Sequence, residues 1–124
     1  MVRFSMVAVV IALSAWMVRS DASAMWVLQS PSANQVFNSN ATVAAAGMTT
    51  EANTGFTVYV YDNWQQANEV VMNSVVGTSG MTSFTASVAP PAGGWTVTAV
   101  KAGVEVKSAA TGAVGANAVK FQAP

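Results

Sequence analysis

Residues able to carry acid, base or nucleophilic chemistry are few in this chain. It has no histidine and no cysteine. That removes imidazole bases, thiolate nucleophiles, tetrahedral zinc sites and disulfides together. After residue 24 the carboxylates are Glu51, Asp62, Glu69 and Glu105. A glycosidase needs two such groups across a cleft, one with a raised pKa. Nothing in the spacing of these four pairs them, so no catalytic residue is assigned and the chain is read as a non-enzyme. Asp62-Asn63 with Glu51 and Asn53 would offer hard oxygen ligands of the kind Ca²⁺ takes from loops. The Asp-x-Asp-x-Asp spacing is absent, loop capping accounts for these residues, and no metal or other cofactor is expected.

The aromatics offer a different chemistry. In the run Phe56-Thr57-Val58-Tyr59-Val60-Tyr61, successive side chains of a strand take opposite faces. Phe56, Val58 and Val60 are therefore assigned to the core, and Tyr59 and Tyr61 to the solvent face, with Trp64 three residues further on. Flat rings on a sheet face can stack on sugar rings or anchor a protein interface. Tyr59, Tyr61 and Trp64 are accordingly the candidate ligand-binding residues. Trp26, Phe84 and Trp95 are assigned to the core. Asn40-Ala41-Thr42 is a glycosylation sequon, which has meaning only in a eukaryotic secretory route.

These residues belong to a single small unit behind a leader. The chain has 124 residues, five Lys+Arg against five Asp+Glu, 52% hydrophobic residues and a mean hydropathy of +0.42. Residues 1–24 read as a secretory signal peptide: Arg3, an uncharged apolar run over 4–18 forming the leader's helix, and Ala22-Ser23-Ala24 as the cleavage site. A retained anchor is the alternative, but fifteen residues at about 1.5 Å each fall short of the roughly 30 Å hydrocarbon core. Cleavage leaves residues 25–124 as one domain with three lysines against four carboxylates. So little positive charge argues against nucleic acid as a partner. The membrane is met only transiently, through the leader, and the expected location is extracellular or periplasmic.

No segment of residues 25–124 sustains a 3.6-residue period, whereas short runs alternate with period two between Gly, Pro, Asn and Ser clusters. The reading is all-β. Strands are expected over 26–29, 42–47, 56–61, 69–76, 82–88, 95–100, 104–107 and 119–122, with a helix weighed as the alternative for 69–76. The Ala- and Gly-rich residues 109–117 are read as a separator. Seven or eight short antiparallel strands in about 100 residues is the pattern of a two-sheet sandwich.

The chain resembles the bacterial immunoglobulin-like domains of exported proteins. Pro31 after the first strand, then Val36, Val43 and a closing Gly47, stand where that family places them. Gly94 to Ala99 matches its aromatic Gly-Trp-Thr-Val-Thr-Ala strand. Lys101-Ala102-Gly103 replaces the family's usual Asp-x-x-Gly, and the segment before the last strand is unusually long. The resemblance implies an immunoglobulin-like β-sandwich serving as a binding, structural or adhesive module outside the cytoplasm, with a protein or glycan partner. The competing reading is a carbohydrate-binding module that uses Tyr59, Tyr61 and Trp64.

Overall fold

A computed structural model describes residues 24–98 and 100–124. The expected leader helix and Ala22 of the cleavage site lie outside the described residues, and Ala24 is the first residue within them. Eight strands follow: β1 (Trp26–Ser30), β2 (Gln35–Asn38), β3 (Val43–Thr49), β4 (Gly55–Asp62), β5 (Val70–Thr78), β6 (Ser83–Val88), β7 (Ala102–Ser108) and β8 (Val114–Gln122). They form a three-stranded sheet, β1-β3-β6, and a five-stranded sheet, β2-β8-β7-β4-β5. The described residues contain no helix. The fold is an all-β sandwich.

The two sheets enclose an apolar layer that includes Phe56, Val58 and Val60, the face that alternation assigned to the core. Val58, Val60, Val104 and Val106 project from the large sheet and Val43 and Val88 from the small one, all fully buried. At one end of this layer Trp26, Phe56 and Phe84 form a triangle with ring centroids 5.3 to 5.5 Å apart. At the other end Trp95 stacks on Phe121 at 5.2 Å, with Phe37 beyond it. Phe84 lies over Gly47 and Phe56 over Gly77, each glycine being the residue directly across the strand pair. A Cβ on Gly47 or Gly77 would come within 2.8 Å or 2.7 Å of the opposing ring. The missing side chains are thus the space in which the rings pack.

Three expectations require correction. First, residues 95–98 and 100 form no strand. The chain must pass here from the small sheet (β6) to the large one (β7), and a segment crossing between sheets cannot pair along either. Only Trp95 reaches the core: its amide donates to the Ser39 carbonyl (2.7 Å) and its indole Nε1 to the Ala41 carbonyl (2.6 Å), while Val97 and Val100 remain exposed. Second, β2 pairs with β8 in parallel, so the sandwich is not antiparallel throughout. Third, β8 begins at Val114 and absorbs much of the Ala/Gly separator.

Local propensity disfavours Gly and Ala in a strand, but tertiary contact overrides it here. Gly115 permits close approach to the Trp26 carbonyl, where a Cβ would collide. Asn117 Nδ2 donates to the carbonyls of Leu28 (2.9 Å) and Pro31 (3.0 Å). These bonds tie β8 to the end of β1.

Candidate functional site

The outward face of the five-stranded sheet collects the three candidate aromatics. Tyr59 and Tyr61 stand two residues apart on β4 with ring centroids 5.8 Å apart and planes inclined at 32°. Both are half-buried, whereas Phe56, Val58 and Val60 on the opposite side of the strand are at most 2% exposed. The β4–β7 register sets Glu105 across from Tyr59 and Gly103 across from Tyr61. Tyr61 Oη donates to Glu105 Oε1 at 3.0 Å. Burial first, and then the Glu105 carboxylate, push this phenol well above its ordinary range, so it stays protonated and remains a donor.

Trp64 is held by the loop that follows β4. Its amide donates to the Lys101 carbonyl at 2.8 Å, and Asn63 ahead of it takes a positive φ of 53°, a conformation asparagine tolerates well. The ring settles flat on the sheet, where Gly103 leaves room for it. A Cβ at Gly103 would fall on Trp64 Cδ2 and lie 2.5 Å and 2.6 Å from Cγ and Cε3. The Lys101 ammonium stands 4.9 Å from the ring centroid and donates to Gln65 Oε1 at 2.8 Å. Trp64 thus has one ring face seated on the backbone, and the cation–π contact fixes its position at the end of the tyrosine row.

Beside this row the sheet is low. Across β7 from Glu105 and Gly103 lie Ala116 and Ala118 of β8. Their methyl groups form a shallow floor flanked by the β4 rings. At the Trp64 end the floor runs into a cleft of about 430 Å³ between Thr96, Val97, Val100 and Lys101 on one side and the end of β8 on the other, lined also by Asn34, Ala118 and Lys120. Sequence reading marked the three aromatics but not Gly103, the alanine floor or this cleft. Gly103 and Ala118 fall just outside the strands expected at 104–107 and 119–122, and the structure sets them on the outer face beside the buried Val104 and Val119. The pairing of β7 with β8 that joins them into one surface has no local signature.

The carboxylates do other work. Glu51 lies beyond the far end of the sheet, where its carboxylate accepts from Ser108 Oγ (2.5 Å) and Thr111 Oγ1 (2.6 Å). Those two hydrogen bonds hold its pKa below the ordinary glutamate value. Asp62 closes the opposite end of β4, seven strand steps or about 23 Å from Gly55. Glu51 and Asn53 are therefore not brought to Asp62 and Asn63, and no group of three acidic residues converges among the described residues. Glu69 Oε2 accepts from the Gln65 amide at 2.7 Å.

Comparison with protein families, with curated proteins and with solved structures finds no match to this chain. The geometry of the sheet face is what bears on function.

Proposed function

We propose that this chain is an exported, non-catalytic binding module of immunoglobulin-like strand order that engages its ligand through the outer face of the five-stranded sheet. The observation carrying this reading is the placement of Tyr59, Tyr61 and Trp64 together on that face, outside the core. Large rings contribute contact area at small rotamer cost, and a surface with few charges has few other sources of affinity. Strand order supports the immunoglobulin-like assignment. β1-β3-β6 corresponds to strands A, B and E, and β8-β7-β4-β5 to G, F, C and C′. Export is inferred from residues 1–24, and a non-catalytic role from the absence of imidazole and thiol and from the separate engagements of Glu51, Glu69 and Glu105.

Among ligands, the face favours an extended glycan over a globular protein partner. A row of rings beside a floor of alanine methyls suits a chain lying along the strands, whereas a protein anchor would need a deeper central pocket. The test is a glycan array, followed by single Tyr59→Ala, Tyr61→Ala and Trp64→Ala variants assayed for binding and for urea stability. Each is expected to weaken binding while costing less stability than Phe56→Ala, a buried truncation worth about 3–5 kcal/mol. A silent array would assign the module an adhesive or structural role instead. Variants that unfold as readily as Phe56→Ala would return the rings to the core.

A further inference from the structure

The cations of the domain gather on one surface, which also carries Glu105 and has Glu69 within electrostatic reach of Tyr61. Beyond residue 24 the chain has three cationic side chains, Lys101, Lys107 and Lys120. All three belong to the outer side of the five-stranded sheet. Lys107 follows Gly103 and Glu105 along the outward side of β7, since Val104 and Val106 between them are fully buried. Lys120 stands between the buried Val119 and Phe121 of β8 and is exposed. The register that pairs Gly103 with Ala118, continued by two residues, brings Lys101 beside Lys120, and both line the cleft at the Trp64 end. The hydrogen-bond partner of Lys101 is an amide oxygen and not a carboxylate.

The carboxylates are distributed otherwise. Glu51 is tied to Ser108 and Thr111 at the far end, and Asp62 shares the inward parity of Val60. Glu69 in the loop before β5 is held by the Gln65 amide. Glu105 alone stands on a strand of the outer face, where it accepts the Tyr61 hydroxyl.

Resting on the sheet-face reading above, we propose that the ligand is an acidic polysaccharide. Its sugar rings lie along Tyr59 and Tyr61 over the Ala116–Ala118 floor, and its anionic substituents reach the Lys101–Lys120 cleft at one end and Lys107 at the other. Lys101 to Lys107 is six strand steps, about 20 Å, so the cations bracket the aromatic row. A neutral glycan would use the rings and give Lys107 and Lys120 no part in binding, and Lys101 none beyond holding Trp64. Single-stranded nucleic acid also combines stacking with negative charge, but its affinity comes from many phosphate contacts, and three lysines in a domain with more carboxylates than cations supply few.

The experiment measures binding of the full chain to polygalacturonate, dextran sulfate, a neutral glucan and poly(dT). Each is assayed between about 0.05 and 0.5 M NaCl, a range over which screening of exposed charges becomes severe. The expected result is binding to an acidic polymer that weakens about tenfold or more across that range, with the uronate and sulfate arms showing which anionic group is preferred. Lys101→Gln/Lys120→Gln should flatten the salt dependence, with a urea midpoint lowered only by the loss of the Lys101 contacts with Trp64 and Gln65. Tyr59→Ala should lower affinity and keep the salt slope. Salt-independent binding of the neutral glucan, weakened by Tyr59→Ala, would overturn the acidic assignment and retain the sheet face. Tighter binding of poly(dT) than of either acidic polysaccharide would overturn the sugar assignment. Indifference of all four polymers to both variants would overturn the sheet face as well.

Discussion

Replacing Gly103 by alanine tests the seat of Trp64 with a single methyl group. The new Cβ would lie 2.5 and 2.6 Å from two ring carbons, where carbon atoms in contact keep about 3.5–4.0 Å. The ring must therefore withdraw by about 1 Å or more. Because Trp64 is held by a loop, it can do so without disturbing the core. Lifting it re-exposes some tens of Å² of apolar surface, about 1–2 kcal/mol at 25 cal/mol per Å². The Lys101 cation–π contact, worth about 0.5–1 kcal/mol at an exposed site, weakens with it. Alanine in a strand returns about 0.5–1 kcal/mol over glycine, leaving a net destabilisation of about 1–2 kcal/mol.

In a Trp64→Ala background the obstructing ring is gone and only the backbone gain remains, so the same substitution should stabilise by about 0.5 kcal/mol. The assay is urea unfolding of the four members of this cycle, the midpoints giving the sign in each background. An effect of the same sign in both would show that Trp64 does not sit on Gly103. A loss above about 4 kcal/mol in Gly103→Ala would show the ring to be core.

Other expectations concern the two ends and the middle of the sandwich. Val58→Asp should destabilise by several kcal/mol, because it buries an unpaired charge between the sheets. Thr57→Asp should cost less than about 1 kcal/mol, since residue 57 faces outward across from Lys107; comparable urea midpoints for the two would refute the face assignment. Glu51→Gln should cost about 1 kcal/mol, a figure reduced for the partial exposure of the site, by weakening the two hydroxyl bonds that fasten the β7–β8 turn. The folded pKa of Glu51 lies below its ordinary 4.5. Its contribution is therefore complete above that value and is lost as pH falls through the depressed folded pKa. Thermal melts across the acid range should show a component of acid destabilisation in the wild type that Glu51→Gln lacks.

Alternation was informative wherever a strand has one buried face and one wet one. Phe56-Val58-Val60 and Phe84-Val88 point into the core because a slip of one residue would turn every one of them to water. The same logic misled at Trp95. Its alternation with Val97 is that of a strand, but strand formation needs an edge to pair with, and the crossing from β6 to β7 leaves residues 95–98 none. Conversely, residues 114–118 have little strand propensity, and β8 extends through them because Gly115 and Asn117 meet β1 from the other sheet. Both errors have one origin. Period two reports how a segment divides its own side chains, and says nothing of which backbone lies next to it.

The candidate site divides along the same line. That Tyr59 and Tyr61 face outward was legible from parity within β4, and the structure keeps both out of the core. The place of Trp64 was not, because it depends on an absent side chain 39 positions away in sequence, at Gly103. The lysines show the point most sharply. Lys101 and Lys120 are 19 residues apart and read as isolated charges on a nearly neutral chain. The antiparallel pairing of β7 with β8 returns the chain on itself so that they line one cleft beside the aromatic row. A surface built from three strands and a loop is therefore specified by register, and register is set by the buried residues, here Val104, Val106 and Val119, that bind nothing. Substitutions that shift those core side chains would be expected to separate the lysines from the tyrosines without altering any residue of the binding face.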